Sequence, residues 1–201
     1  MNMTTNQLNP YAITLCTLGR WISARQWVPA GSGSFSIRTA SQQALITPHH
    51  KDKAELSPQD LQPLDWPATA AEPVAVTHQL HASIYQQVHQ AKVVLQVQST
   101  SALLFSKLVQ SNQHQFVGYQ LQHVLQQNPQ QQLTLAMLTD ASDLVQLQQL
   151  VQQQHQLGLS ALLVRNLGLI VWAEQPEQAR RQLEAWDFLL HCELELLKHQ
   201  H

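Results

Sequence analysis

The side chains of this sequence with an evident capacity for chemistry are a set of histidines and one small-residue turn. His78 and His81 stand three residues apart in a segment of helical periodicity, a spacing that can offer two imidazoles to one metal ion, and His49-His50 are adjacent in a loop. Eleven histidines in 201 residues make chance proximity common, so cleft and surface imidazoles are the simpler reading of all four. Gly31-Ser32-Gly33-Ser34 could close backbone N–H groups around an anion, although a Gly/Ser turn ahead of a strand is usually only a turn. Gln96 and Gln98 alternate with Leu95 and Val97, which puts both amides on one side of a strand, where hydrogen bonding within a polar cleft accounts for them. Cys16 and Cys192 sit near opposite ends in apolar-periodic stretches, match no metal or redox spacing, and read as reduced core residues. Trp172 and Trp186 also lie in apolar-periodic segments and read as core.

The elements that must hold these residues follow from periodicity. Apolar residues at helical spacing (Ile13, Leu15, Leu18, Trp21, Ile22) predict a helix over 11–24, and further helices are predicted over 77–89, 101–110, 118–126, 144–157 and 176–197. Strands are predicted over 35–38 and 44–47, paired as a hairpin, and over 92–97, 133–138, 161–164 and 169–171. Ser57-Pro58-Gln59-Asp60 carries a capping hydroxyl, a proline at the first helical position and an acid, so a short helix starts there and ends before Leu64 and Asp65. Residues 66–73, rich in Ala, Pro and Thr, are too few to divide domains and form a surface loop; residues 1–9 form a flexible N-terminus of one domain spanning 1–201. In the glutamine run 146–156 an apolar stripe of Leu144, Leu147, Leu150, Val151 and Leu157 persists, so the glutamines coat a surface helix. The run at 126–132 needs no special role either.

Composition narrows the partners. A formal charge of −2 and a pI near 6.6 leave no basic field for nucleic acid or anionic lipid. Only 12% of residues are charged while about one in six is Gln, so neutral amides solvate much of the surface. The polar start, Met1 to Pro10, lacks the basic flank and apolar run of a signal peptide, and no apolar run reaches the ~20 residues of a membrane span, so a cytoplasmic protein is expected.

Longer stretches carry a resemblance. Leu15-Cys16-Thr17-Leu18-Gly19-Arg20-Trp21, Trp27-Val28-Pro29-Ala30, Ser36-Ile37-Arg38, Ile46-Thr47-Pro48 with Lys51-Asp52-Lys53, Gly118-Tyr119, Val164-Arg165, Trp172 and Ala179-Arg180-Arg181-Gln182-Leu183-Glu184 run collinearly along nearly the whole chain. Together they resemble the methylthioribulose-1-phosphate dehydratase branch of the class II aldolase/adducin family. The resemblance implies an α/β fold, a three-layer α/β/α domain with a central, mainly antiparallel sheet. It also implies a homo-oligomer, usually a tetramer, with sites between subunits. Zinc held by a His-x-His pair and a distant third His is implied as the Lewis acid, and here those positions read Gln96, Gln98 and Leu167. Anchoring on His81 and Tyr85 puts Thr77 where a carboxylate is usual, and Gln120 stands where the proton-moving Glu would be. An amide cannot serve as a general base. Of the two phosphate-binding turns, the first keeps Ser32 and Gly33, while the second reads Thr47-Pro48-His49-His50, whose imidazoles in their positive form attract phosphate. The family fold would bring that turn near His78 and His81.

Structural zinc sites are worth roughly 10–16 kcal/mol spread over their ligands, so loss of three imidazoles should abolish binding. The expectation is therefore a pseudoenzyme without a cofactor, acting in binding or assembly. Its partners would be a sugar-phosphate-like ligand, further copies of itself, or an active relative. The alternative is a diverged but active methylthioribulose-1-phosphate dehydratase of methionine salvage, a carbon–oxygen lyase with a rebuilt metal site or none. A third class, a metal or anion sensor, would use His49, His50, His78 and His81.

Overall fold

The computed structural model describes residues 9–67, 75–126 and 131–199. Helix α1 (Pro10–Ser23) is capped by the Asn9 side chain, which accepts from the Tyr11 N–H at 3.0 Å. The hairpin β1 (Ser34–Ala40) and β2 (Gln43–Ile46) follows, then a single 3-10 turn, Pro58–Asp60, closed by reciprocal Ser57 and Asp60 caps. Next come β3 (Gln62–Asp65), α2 (Val76–Gln87), β4 (Val93–Val97), α3 (Thr100–Leu108), β5 (Gln113–Phe116), α4 (Gln122–Leu125) and β6 (Leu133–Leu138). The chain finishes with α5 (Leu144–Gln156), β7 (Ala161–Val164), β8 (Gly168–Ala173) and the long α6 (Pro176–Lys198).

The strands form one sheet in the order β3-β2-β1-β4-β8-β7-β6-β5, antiparallel at every pairing except β6 with β7. Strand alternation divides the core in two. Phe35, Ile37, Val93, Leu95, Val97 and Val171 face the layer of α1, α3 and α6, while Ala44, Ile46, Val94, Ile170 and Trp172 face α2 and α5. This is the expected three-layer arrangement. Both Trp172 and Trp186 are buried.

Several local expectations need correction. Strands β3 and β5 were unforeseen because both are polar edge strands; Pro63 in β3 is tolerated only at a sheet edge. The helix predicted over 118–126 shrinks to α4, since Gly118 takes a φ of +85° and starts a turn. Gln154 departs from the polar face of α5: it is buried, and with its amide suitably oriented it donates to the Thr134 carbonyl (3.2 Å) and accepts from the Ala136 N–H (2.9 Å). Cys16 is buried but Cys192 only half so, and both thiols are free. Residues 1–8 of the expected flexible N-terminus, 68–73 of the loop and 127–130 of the first glutamine run lie outside the described residues. Among the described residues no helix is long and apolar enough to cross a membrane.

The β7–β8 turn approaches β4 so closely that side chains are excluded. A Cβ on Gly168 would stand 2.0 Å from the Val97 carbonyl oxygen, at a φ of +107°. Gly168→Ala is therefore expected to lower stability by about 3 kcal/mol, read by denaturant unfolding. A loss within experimental error would mean that this contact is loose.

Candidate functional site

On the α2 side of the sheet, period-two alternation turns Ser34 and Ser36 of β1 and Gln96 of β4 toward the same helix face that carries His81 and Tyr85. All five are buried. Ser34 Oγ lies 2.8 Å from His81 Nε2 and 3.3 Å from Gln96 Oε1; Ser36 Oγ lies 2.6 Å from His81 Nδ1 and 2.8 Å from the Tyr85 hydroxyl. Gln96 Nε2 donates to the Leu167 carbonyl at 2.6 Å. The Tyr85 hydroxyl has a second acceptor, the Lys92 carbonyl, at 3.4 Å.

Proton counting gives this line a direction. A carbonyl only accepts, so the Gln96 amide must turn its nitrogen to Leu167 and its oxygen to Ser34. Ser34 spends its one proton on that oxygen and must accept from His81 Nε2–H. The neutral ring then has a bare Nδ1 that takes the Ser36 proton, and Ser36 accepts from Tyr85. Every hydrogen bond points the same way, from Tyr85 to the Leu167 carbonyl, and such chains polarise one another. Burial, aided by His78 and His49, pushes His81 down to about 3, so the ring is neutral at physiological pH.

A second construction ties the two small-residue turns together. Lys53 is fully buried, and its ammonium donates to the carbonyls of Gly31 (2.7 Å), Pro48 (3.0 Å) and Lys51 (2.9 Å). Burial lowers it to about 8, against the opposing pull of Asp52. Gly33, at a φ of +76°, packs its Cα side on Val28 and the Gln96 carbonyl, where a Cβ would meet atoms at 2.6 and 2.7 Å. Ser32 Oγ is buried without a partner. Beside this turn, His49 Nε2 contacts Thr77 Oγ1 at 2.8 Å, and the His49 and His78 rings stack at 5.6 Å and 19°. His50 is exposed, at a φ of +59°.

The structure thus gathers Ser32, Gly33, His49, Thr77, His78, His81, Gln96 and the Leu167 backbone into one region. Gln120 does not join it: it is exposed in the turn before α4, beside Tyr119, whose hydroxyl is held by Glu193 of α6 at 2.8 Å on the opposite face of the sheet. Gln98 follows β4, half-buried, its N–H bonded to the Trp27 carbonyl at 2.8 Å. His78 and His81 do not form a ligand pair, because both nitrogens of His81 face serine hydroxyls. Zinc sites use imidazole, thiolate or carboxylate, whereas the positions at 96, 98 and 167 offer two amides and an alkyl chain, one amide already bonded at both ends. That donor set does not fit zinc. Among the described residues no three His, Cys, Asp or Glu side chains are grouped to hold an ion.

Sequence reasoning placed Ser34 only in the Gly/Ser turn and missed the roles of Ser34, Ser36 and Lys53 in the site. The serines carried a signal, alternation with Phe35 and Ile37, whereas a lysine in an irregular loop carries none.

The depressed His81 has a sign-definite consequence. Between about 6.5 and about 3 the unfolded chain binds a proton that the folded chain excludes, so this residue makes stability fall as pH falls through that window. The limiting slope is about 1.4 kcal/mol per pH unit for one group. Denaturant unfolding from near-neutral to mildly acidic pH should show His81→Asn losing that share of the slope, and an unchanged slope would place the acid sensitivity elsewhere.

Comparison with known proteins agrees with this fold. The model of the class II aldolase and adducin N-terminal domain matches residues 13–194. A methylthioribulose-1-phosphate dehydratase from Pseudoalteromonas translucida is 32% identical over 200 residues, covering 96% of this chain and 94% of its own. Another so named, from Xanthomonas campestris, is 32% identical over 216 residues and 98% of both chains. Among solved structures, an L-fuculose-1-phosphate aldolase from Thermus thermophilus superposes with a TM-score of 0.74 at 18% identity, covering 94% of this chain and 95% of that one. The chain belongs to the class II aldolase/adducin family, and within it resembles the methylthioribulose-1-phosphate dehydratases.

Proposed function

We propose that this chain is a pseudoenzyme of its family, one that keeps the fold and a ligand-binding cleft but has exchanged the zinc and proton-transfer positions for side chains that cannot replace them. One observation carries this reading: the Gln96 amide joins Ser34 to the Leu167 carbonyl, spanning two of the three positions where the resemblance puts metal ligands. With its nitrogen donating to Leu167 and its oxygen accepting from Ser34, this amide is a neutral group held in one orientation, unlike the imidazole, thiolate or carboxylate that zinc sites use. Thr77 and Gln120, at the acid–base positions, bring a hydroxyl and an amide, neither of which titrates near neutral pH. The role left is binding or assembly in the cytoplasm, as a homo-oligomer such as a tetramer or with an active relative.

Assembly has support in the surface. Between α3 and α6 lies an apolar groove lined by Leu104, Leu108, Leu194 and Leu197, with Leu104 and Leu108 exposed. A second reading, an active diverged dehydratase of methionine salvage, is favoured by the full-length similarity to proteins bearing that name.

Elemental mass spectrometry on untagged protein purified without chelators separates the two. Zinc, iron, manganese, cobalt and nickel all near zero per chain, with no turnover of methylthioribulose 1-phosphate, is the expected result; one metal per chain together with turnover would overturn the pseudoenzyme reading. Light scattering should give a mass that is a multiple of 22.7 kDa. A monomer that captures no relative from its native cell would remove the assembly role.

A further inference from the structure

We infer that a cavity at the end of the sheet opposite the candidate site binds a small neutral molecule bearing a primary carboxamide, whose oxygen accepts from the Trp172 indole N–H and whose nitrogen donates to the Glu174 carboxylate. The cavity shares no residue with the cleft under α2, and its ligand is independent of whether that cleft turns over.

The sheet topology builds the cavity. β8 lies between β4 and β7 and runs antiparallel to both, so the turns that lead into β4 and β7 flank the point where β8 ends and α6 is about to begin. The backbone ties these parts together: the Trp172 N–H donates to the Ser160 carbonyl at 3.0 Å, and the Lys92 N–H to the Ala173 carbonyl at 2.8 Å. The enclosed space is about 160 Å³, with Gln90, His155, Ser160, Trp172, Glu174 and Gln178 among its lining. At about 30 Å³ per water in the liquid, it has room for about five non-hydrogen atoms.

One lining group has no partner. The Trp172 side chain is 1% exposed, and its Nε1–H is buried without a hydrogen bond. An indole N–H only donates, and a buried tryptophan usually finds an acceptor for it. The core into which the rest of the ring packs is built of apolar side chains, so the acceptor has to reach it from the cavity. Among the described residues no side-chain hydrogen bond or ion pair engages Gln90, Ser160, Glu174 or Gln178, so the polar wall is free to bind.

The chemistry of the ligand follows from this inventory. His155 and Glu174 are the two lining groups able to carry charge, and they would carry opposite signs, which favours a neutral occupant. A cation would satisfy Glu174 but accept nothing from Trp172. An anion would accept from Trp172 but set its charge against Glu174 and donate nothing to it. A carboxamide offers an acceptor and two donors on one planar carbon and serves both groups at once. The hydroxyl of Ser160 and the amides of Gln90 and Gln178 donate and accept alike, and so fit either end of it.

Propionamide, with about five non-hydrogen atoms, fits the space and is the probe. Trp172→Phe keeps a ring while removing the N–H, and so identifies the Trp172 signal among the five indoles in a proton–nitrogen NMR spectrum. In the unaltered protein that signal should shift saturably with propionamide, with a Kd on the order of 1 mM for so small a ligand. Propionate and butylammonium, of equal size, should leave it in place. Glu174→Gln, at an exposed position, should allow propionate to move the signal as well. A shift that follows protein concentration alone and is reversed by propionamide would give a glutamine side chain of a second copy as the source of the amide. An indole indifferent to all three compounds would mean that solvent alone occupies the cavity and would overturn the proposal. So would equal shifts with propionate or butylammonium, or discrimination unchanged in Glu174→Gln.

Discussion

Polar groups sealed beneath a helix must find partners within the protein, and the constraint is strictest under α2. Six groups from four parts of the chain meet there: Tyr85, Ser36, His81, Ser34, Gln96 and the Leu167 carbonyl. An unsatisfied member would cost roughly 1–3 kcal/mol, a large share of the stability of any domain of this size. The surrounding geometry serves that demand. Gly33 and Gly168 let backbones approach β4 at the distance the line requires, and the buried Lys53 fixes the turn leading into β1. Trp66 stacks on the Tyr85 ring at 4.9 Å, while Arg38 donates to the Tyr85 carbonyl at 2.7 Å and holds that end in place.

The same packing makes the scaffold independent of the polar residues in its cleft. The apolar faces on both sides of the sheet are complete, with Trp172 in one and Trp186 in the other, and neither depends on what stands at the ends of β4 and β8. Amides at such ends can be absorbed by hydrogen bonding without disturbing either core. Gln154 shows the same adaptability at β6, where a buried amide completes backbone pairing.

Much of the fold was legible in the sequence because most elements have a clear period. The near-continuous apolar runs of β4, β7 and β8 and the stripe of α6 announce themselves. β3 and β5 do not, since an edge strand has no second neighbour and little need for apolar residues. For the site, residue types suggested which positions mattered but not what they would do. Gln96 and His81 were each readable as polar residues of a cleft, yet their union depends on two serines whose importance appears only once β1 is laid beside β4. The role of Lys53 lay in carbonyls, which no sequence displays.

The line under α2 is asymmetric at its two ends. At one, the Tyr85 hydroxyl has a choice of acceptors, Ser36 or the more distant Lys92 carbonyl, so it can be satisfied whichever way its neighbour turns. At the other, Gln96 has no choice, because Leu167 offers only an acceptor and Ser34 must supply the donor. The tautomer of His81 is thus written by the residue at position 96, two links away. An amide there preserves the script, because it accepts from Ser34 while donating to Leu167, and a donor turned toward Ser34 would rewrite it from end to end.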